Sequence, residues 1–435
     1  MLKTKYMFPQ FAFYDRTGIQ AYLEKQAEKG WVLEEIGSFA WKFARSNPRK
    51  LRFAVVYFPK ADLYDPEPGE EEQTFREFCA HGGWTLAASA AQMQIFYSEA
   101  EDPTPIETDP VIEVENVHAS MKKSMLPGYW MMLSLGILDL LMLWWSYSMD
   151  PLTFLSANLS LFMIPFWIVF LVLSVSQLAR YYGWRRRARK AAAEDGIFVE
   201  TKDNRIGQTA VCLLLMVVLV GILATMADRQ KAIILTISMV MTLTTIAVVL
   251  YVRKKLKRDG YDAKTNRTVT LVAAVVVAIP VSMIGNSFSV QVMNNYPDRE
   301  ENLPLYIQDL LGGGEYDVLA IRNERSLFLE YYDTMQVPVT NLRTPRIQYE
   351  AVKVKVPALY DLCLEELLEV PDRYPGAKFE TIDPAPWGAE RAWQLREAEG
   401  LEQWYVLCYD EMIVEFMPDW DLTDEQKATV GEKFG

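Results

Sequence analysis

Residues 155–190 read LSANLSLFMIPFWIVFLVLSVSQLARYYGWRRRARK, a long apolar run followed at once by a dense basic group. Leu155–Leu178 contains no charged residue, and about 20 such residues are enough to cross the hydrocarbon core of a bilayer. Tyr181, Tyr182 and Trp184 come next, as in the aromatic belts of membrane proteins. The stretch predicts a membrane-spanning helix that ends at a basic boundary.

Four further stretches are also apolar runs of about 20 residues, and they lie on both sides of the first one. They are Leu126–Tyr147, Ile206–Met226, Ala232–Val252 and Val269–Phe288. Pro165 and Pro280 fall inside two of the five runs, where neighbouring helices in a membrane can satisfy the freed carbonyl groups. The fold class predicted for residues 126–288 is therefore a membrane α-helical domain of five spans. Met1–Asp15 lacks the pattern of a cleavable signal peptide, so we expect the first span to direct insertion.

Charge divides the chain into three parts. Residues 122–288 carry 19 Lys and Arg against 9 Asp and Glu, whereas residues 1–121 carry 12 against 19 and residues 289–435 carry 13 against 29. Binding of nucleic acid requires a concentrated basic surface, so the acidic ends argue against it. The basic residues of the middle part have another role, because they border the apolar runs.

The basic residues between spans indicate orientation, since Lys and Arg are retained on the cytoplasmic side of a membrane. They lie mainly between the second and third spans and between the fourth and fifth. The membrane-orienting residues are Arg185, Arg186, Arg187, Arg189, Lys190, Arg253, Lys254, Lys255, Lys257 and Arg258. The N-terminus is thus expected in the cytoplasm and residues 289–435 outside. Recognition of anionic lipid headgroups is an alternative reading of the same residues.

Asp139 is the one carboxylate inside the predicted spans. An ionised group at that depth costs several kcal/mol, so such residues often have a function. Asp139 is a candidate for relaying protons or cations. Alternatively, its side chain reaches the outer interface or accepts a hydrogen bond from a neighbouring span.

Residues 1–98 predict a cytoplasmic α+β domain. Helices are expected over residues 16–29 and 73–81, and each ends at glycine and continues into strands. The sequence EKGWVL at residues 28–33 is echoed by HGGWTL at residues 81–86, so Trp31 and Trp84 are expected to anchor a strand under each helix. Two such helix–strand–strand units predict a two-layer sandwich, ferredoxin-like in arrangement. Residues 99–125 are expected to form an acidic linker.

The pattern of this first part resembles a known family. Tyr22-Leu23-Glu24, Ala27–Leu33, Trp41-Lys42-Phe43 and Arg52–Tyr57, followed by Gly82-Gly83-Trp84 and Ile106–Asp109, are similar to an uncharacterised bacterial membrane-protein family, domain of unknown function 2812. The resemblance implies a multi-pass protein of the bacterial cell membrane. It also implies a cytoplasmic regulatory protein as partner, since genes of the family often neighbour PadR-type regulators. It supplies no catalytic residues.

Residues 289–435 predict a second α+β domain, outside the membrane. A strand is expected over residues 346–356, with a bulge near Ala351 where the apolar alternation shifts phase, followed by a helix over residues 357–369. Thr423–Gln426 is a capping-box pattern before a closing helix. Cys363 and Cys408 are either a disulfide or two buried thiols.

The chemistry of catalytic and metal sites is missing from the sequence. It has two histidines, His81 and His118, no CxxC pair and no phosphate-binding glycine loop. We therefore expect no catalytic, cofactor-binding or metal-ligating residues. The predicted function is that of a non-enzymatic sensor, regulatory or accessory protein that couples an external domain, of unidentified ligand, to a cytoplasmic partner. The alternative is a subunit of a membrane transporter.

Overall fold

The first soluble part contains two successive β-α-β-β units. The structure, a computed structural model, describes residues 3–8, 11–37, 40–66, 68–201, 212–213, 215–216, 218–219, 229–295, 303–339, 345–370, 374, 376–396 and 403–435. The first unit comprises β1 (Thr4–Met7), α1 (Arg16–Glu28), β2 (Trp31–Ile36) and β3 (Trp41–Arg45). The second comprises β4 (Arg52–Tyr57), α2 (Glu70–His81), β5 (Thr85–Ala90) and β6 (Met93–Ser98).

The two units share one topology. Each forms a three-stranded antiparallel sheet in which its third strand is central, in the orders β1-β3-β2 and β4-β6-β5. The pairing slips between Leu33 and Glu35 in one unit and between Leu86 and Ala88 in the other. The predicted helix–strand–strand repeat is thus present, with a further strand before each helix. The ferredoxin-like arrangement is not confirmed, because the described strands form two three-stranded sheets.

Helix α3 (Pro110–Ser124) occupies the second half of the segment predicted to be a linker. Asp109 begins it by accepting a hydrogen bond from the backbone N–H of Val111 at 2.8 Å. Val114, Val117 and Met121 are buried in the same apolar cluster as α1. Helix α3 is therefore part of the folded domain, packed against its core. The sequence suggested a linker here because the acidic composition of the segment hid this apolar stripe.

Four helices in the described part of the chain are long and apolar enough to cross a membrane. The helices of this region are α4 (Leu126–Met149), α5 (Pro151–Ser156), α6 (Asn158–Glu194), α7 (Arg229–Arg258) and α8 (Ala263–Asn295). All but the six-residue α5 qualify as spans, and α6 and α8 continue through Pro165 and Pro280. The predicted third span, Ile206–Met226, lies largely outside the described residues. Helix α6 extends to Glu194, well beyond its apolar run.

The last part of the chain is built on a seven-stranded antiparallel sheet of order β10-β11-β12-β13-β9-β8-β7. Its elements are α9 (Ile307–Leu311), β7 (Tyr316–Arg325), β8 (Leu329–Pro338), β9 (Ile347–Val354), α10 (Tyr360–Leu367), β10 (Lys378–Thr381), β11 (Arg391–Arg396), β12 (Tyr405–Cys408), β13 (Met412–Pro418) and α11 (Asp424–Phe434). The predicted capping box starts α11.

Both faces of this sheet are covered. Tyr349 and Phe416 pack with α9 and α11 on one face, whereas Val352 and Ile413 pack with α5 and α10 on the other. The bulge predicted near Ala351 is wrong, since β9 pairs regularly with both neighbours. The apolar residues change phase because the strand is buried on two sides rather than one.

The chain folds into two compact units. The N-terminal unit comprises the described residues within Met1–Leu138, Ile168–Val218 and Ala232–Val290. The C-terminal unit comprises those within Asp139–Trp167, Leu219–Lys231 and Gln291–Gly435. Helices α4 and α6 each contribute residues to both units.

Candidate functional site

The second half of α6 lies in the core of the N-terminal unit. Leu178, Tyr181, Trp184, Ala188 and Ala192 are buried there, and their spacing places them on one face of the helix. The same apolar cluster contains side chains of α1 and α3. Hydrophobic burial therefore fastens the end of a spanning helix to the soluble domain.

Polar contacts add to this attachment. The Nδ1 atom of His118 on α3 and the hydroxyl of Tyr181 on α6 are 2.7 Å apart. The indole N–H of Trp184 donates to the carbonyl of Val199 at 3.1 Å, so the segment after α6 folds back onto it. Burial lowers the pKa of His118, and the charge of Arg185 lowers it further. Both effects favour the neutral imidazole.

Within the N-terminal unit, the loop between β4 and α2 joins the soluble domain to the start of α8. Oδ2 of Asp62 lies 2.7 Å from Nη2 of Arg267 on α8 and 3.2 Å from Nζ of Lys123 on α3. The side-chain amide of Asn266 donates to the carbonyl of Tyr64 at 2.9 Å. Burial acts to raise the pKa of Asp62, but the Tyr64 N–H and the two cations outweigh it and hold the pKa below its usual value. The Asp62 carboxylate thereby attaches the loop to both α3 and α8.

In the C-terminal unit, the short helix α5 packs into the sheet. Leu152, Phe154 and Leu155 are buried in one apolar cluster with Val352 and Ile413 of the central strands. The connection between α4 and α6 is thus a structural part of the sheet domain rather than a free loop.

The turn between β7 and β8 holds the start of α6. The Ser326 hydroxyl donates to the carbonyl of Leu155 at 2.6 Å. The Asn158 side chain donates to the carbonyl of Arg325 and accepts from the N–H of Leu327, both at 3.0 Å. Asn158 is the first residue of α6, so these hydrogen bonds attach that helix end to the sheet.

Three carboxylates stand in a row across adjacent strands on the sheet face that contacts α5. Asp333 of β8 pairs with Glu350 of β9, which pairs with Glu415 of β13, and Arg322 of β7 stands at the end of the row. The Tyr331 hydroxyl donates to Glu350 at 2.9 Å. Burial raises the pKa of both Asp333 and Glu350, and Arg322 opposes this in each case. Like charges directly opposite each other destabilise a sheet, so the protonated forms of Asp333 and Glu350 are favoured.

The residues predicted from sequence lie in different places. Asp139 is half-buried on α4 and forms no hydrogen bond or ion pair with a residue that the structure describes. Trp84 is 6% exposed, and its indole N–H donates to the carbonyl of Thr104 at 2.8 Å. Trp31 is half-buried instead, and the guanidinium of Arg45 lies 5.0 Å from its ring centre.

The first predicted basic group lies near the C-terminal end of α6, and two of its members approach one carboxylate. Glu115 of α3 lies 4.0 Å from Arg185 and 3.5 Å from Arg189. Lys190 lies 3.7 Å from Glu194 on the same helix. Arg186 and Arg187 share this helical stretch.

The second basic group ends α7, and its members divide between two environments. Arg253, Lys254 and Lys257 line a cavity of the N-terminal unit. Lys255 and Arg258 are outside that lining, and Arg258 lies 3.7 Å from Asp259.

Cys363 and Cys408 are free thiols, both fully buried. Burial raises the pKa of Cys363 to about 11 and also raises that of Cys408. Across the described ranges, the structure brings together no group of three or more His, Cys, Asp or Glu side chains that could hold a metal ion.

Sequence reasoning missed the residues of the helix junctions. The spacing of Leu178, Tyr181, Trp184 and Ala188 continues beyond the apolar run and would have predicted an amphipathic extension of the span. Asp62 and Asn158 carry no comparable signal, because their partners are distant in sequence.

Four apolar helices and α+β regions toward both ends of the chain define the class as a multi-span helical membrane protein with soluble domains. Residues 15–128 match the family model described as "Protein of unknown function (DUF2812)". No curated protein and no solved structure matches the chain significantly.

Proposed function

We propose that the protein is a non-enzymatic membrane sensor or accessory protein, in which the C-terminal sheet domain lies outside and the N-terminal domain binds a cytoplasmic regulatory partner. The observation that carries this proposal is helix α6. Its first residue is hydrogen-bonded to the sheet of the C-terminal unit, and its second half lies in the core of the N-terminal unit. One helix of 37 residues therefore has firm contacts in both units.

The geometry of α6 suits mechanical coupling. At about 1.5 Å per residue, a continuous helix of this length measures roughly 55 Å, which exceeds the hydrocarbon thickness. A ligand that shifts the β7–β8 turn would move Asn158, and the helix would carry that displacement or rotation to Tyr181 and Trp184. The ligand must bind the two arrangements with different affinity for such a shift to occur.

The contacts of the connecting segments support the proposed orientation. The α4–α6 connection packs into the C-terminal sheet. The segment after α6 and the start of α8 contact the N-terminal domain instead. The positive-inside rule leads to the same division of the connecting segments. It places the basic connections on the cytoplasmic side, together with the N-terminal domain. We propose five spans, the third formed by Ile206–Met226, because an odd number is needed to export residues 289–435.

Hydrogen exchange on the full chain in lipid nanodiscs tests the coupling. We expect Ser326→Ala and Asn158→Ala to loosen the start of α6 and also to raise exchange in residues 110–124 and 178–199. Ser148→Ala is the matched control, because its hydroxyl donates to the carbonyl of Trp144 on its own helix and to no other residue in the described part of the chain. A rise confined to the C-terminal unit would show that the helix does not transmit the change.

A further inference from the structure

A large cavity in the N-terminal unit lies where the soluble domain contacts the ends of the membrane helices. Its volume is about 1210 Å³, and it is open on one side. Its wall comes from the loop after β4, from α2, from the β5–β6 turn and from the ends of α7 and α8. The cavity is large enough for a phosphate-bearing headgroup.

The charged residues of the lining give it a net positive charge. Among the described residues it contains six Lys and Arg side chains against four Asp and Glu. The basic residues are Arg76, Lys123, Arg253, Lys254, Lys257 and Arg267. Two of the carboxylates are already engaged, because Asp62 pairs with Lys123 and Arg267 while Glu72 pairs with Arg76.

Several cations of the lining have donors to spare. Arg253, Lys254 and Lys257 form no ion pair with any residue in the described part of the chain. Nη2 of Arg76 donates to Glu72 at 2.5 Å and to Ser89 at 3.2 Å. Its Nε is buried without a hydrogen-bond partner among the described residues, and a buried unsatisfied donor is costly.

The position along α7 points to the membrane interface. The apolar run of this helix ends at Val252, and Arg253, Lys254 and Lys257 are the next residues on the cavity side. If the apolar run crosses the hydrocarbon core, side chains just beyond its end lie near the lipid phosphates. Basic pockets between helices at this depth are suited to anionic headgroups, and guanidinium groups bind phosphate oxygens in pairs.

We propose that this cavity binds an anionic phosphate group, presented either by a phospholipid headgroup or by a soluble phosphate ester. Arg76, Lys254 and Lys257 would bind its oxygens, while the ion pairs of Asp62 with Lys123 and Arg267 hold another part of the wall. A bound phosphate group would then link α2 of the soluble domain to the end of α7 through these side chains.

The test uses the purified full chain in detergent and three probes: dioctanoyl phosphatidylglycerol, dioctanoyl phosphatidylcholine and glycerol 3-phosphate. The variant Lys254→Gln with Lys257→Gln removes two lining cations. The variant Lys255→Gln with Arg258→Gln is the matched control, because it removes the same charge from the same helix end outside the lining. Arg76→Gln tests the lining from a different element.

We expect phosphatidylglycerol to bind the wild type and to bind the Lys254/Lys257 variant and Arg76→Gln about tenfold more weakly. The control pair should change affinity less than twofold, and phosphatidylcholine should not bind. Glycerol 3-phosphate binding with the same pattern would assign a soluble ester, whereas binding of phosphatidylglycerol alone would assign a lipid. An equal loss in both double variants, or no binding of either anionic probe, would overturn the proposal. If Arg76→Gln fails to fold, the comparison of the two double variants of exposed residues on α7 still tests the proposal.

Discussion

Gly30 and Gly83 adopt the same left-handed backbone conformation, with φ of +77° and +81°, at equivalent positions of the two β-α-β-β units. Each follows the helix of its unit and directly precedes a tryptophan, which is the first residue of the bulged strand β2 in one unit and lies just before the bulged strand β5 in the other. The two units are thus equivalent in detail as well as in strand order.

The surroundings of the two glycines differ, and this predicts unequal effects of alanine. A Cβ atom at position 30 would lie 2.7 Å from the carbonyl oxygen of Ser46, whereas one at position 83 would meet nothing within 4 Å. Gly83→Ala should therefore lower the free energy of unfolding by about 1 kcal/mol, the strain of placing an alanine in the left-handed conformation. Gly30→Ala should lower it at least twice as much, because the new Cβ atom also meets a carbonyl oxygen. Hydrogen exchange of β2 and β5 in the full chain measures both. Gly69→Ala, in open space with ordinary φ, should have little effect. Equal losses at positions 30 and 83 would contradict this account.

Cysteine labelling tests the proposed orientation, but the native cysteines are poor reporters. Cys79 and Cys408 are 1% and 0% exposed, so their reaction would measure unfolding instead. Lys25→Cys and Glu432→Cys introduce thiols at exposed positions of the two domains. In a Cys212→Ser background, a membrane-impermeant maleimide should label position 432 in intact cells and position 25 only after permeabilisation. The reverse pattern would invert the topology.

Acidification should weaken the contact between α3 and α6. The pKa of His118 is below 6.5 in the folded chain, so the unfolded chain takes up the proton first as pH falls. The stabilising contribution is therefore present above about pH 6.5 and is lost on acidification through the folded pKa. Thermal unfolding at pH 7.5 and 5.5 measures it. The decrease should be smaller in His118→Asn than in the wild type, and His81→Asn, at the exposed end of α2, should behave like the wild type. Identical decreases in all three proteins would argue against this role.

The carboxylate row should respond to pH in the opposite direction. Glu350 has a raised pKa when folded, so the unfolded chain loses the proton first as pH rises. Its contribution is present below the usual glutamate pKa and is lost as pH rises through the folded value. Glu350→Gln should stabilise the C-terminal unit at neutral pH and flatten its pH dependence. Thermal unfolding of the full chain at several pH values compares it with Glu411→Gln, which changes an exposed glutamate at the β12–β13 hairpin. A neutral-pH stabilisation that both variants share would exclude the row as its source.

Some features were readable from the sequence because they depend on neighbours along the chain. Leu155–Leu178 predicts its helix by apolar length alone. The glycine–tryptophan pairs mark the helix ends of the two repeats, since only glycine adopts positive φ without strain. Thr423 and Gln426 predict the start of α11 by local hydrogen bonding. The β-strands of residues 316–338 went unpredicted: β7 pairs with β8, and β8 in turn pairs with β9.

By itself, the sequence determined which segments are long and apolar enough to cross a membrane, where the N-terminal repeats turn and that residues 15–128 match a family model. These properties follow from apolar length, backbone conformation and short-range spacing. Only the tertiary structure decided that Asn158 contacts the β7–β8 turn, that Asp62 contacts Arg267 and that α3 belongs to the core. Such contacts join residues up to about two hundred positions apart, and their energy depends on atoms that packing alone brings within hydrogen-bond distance.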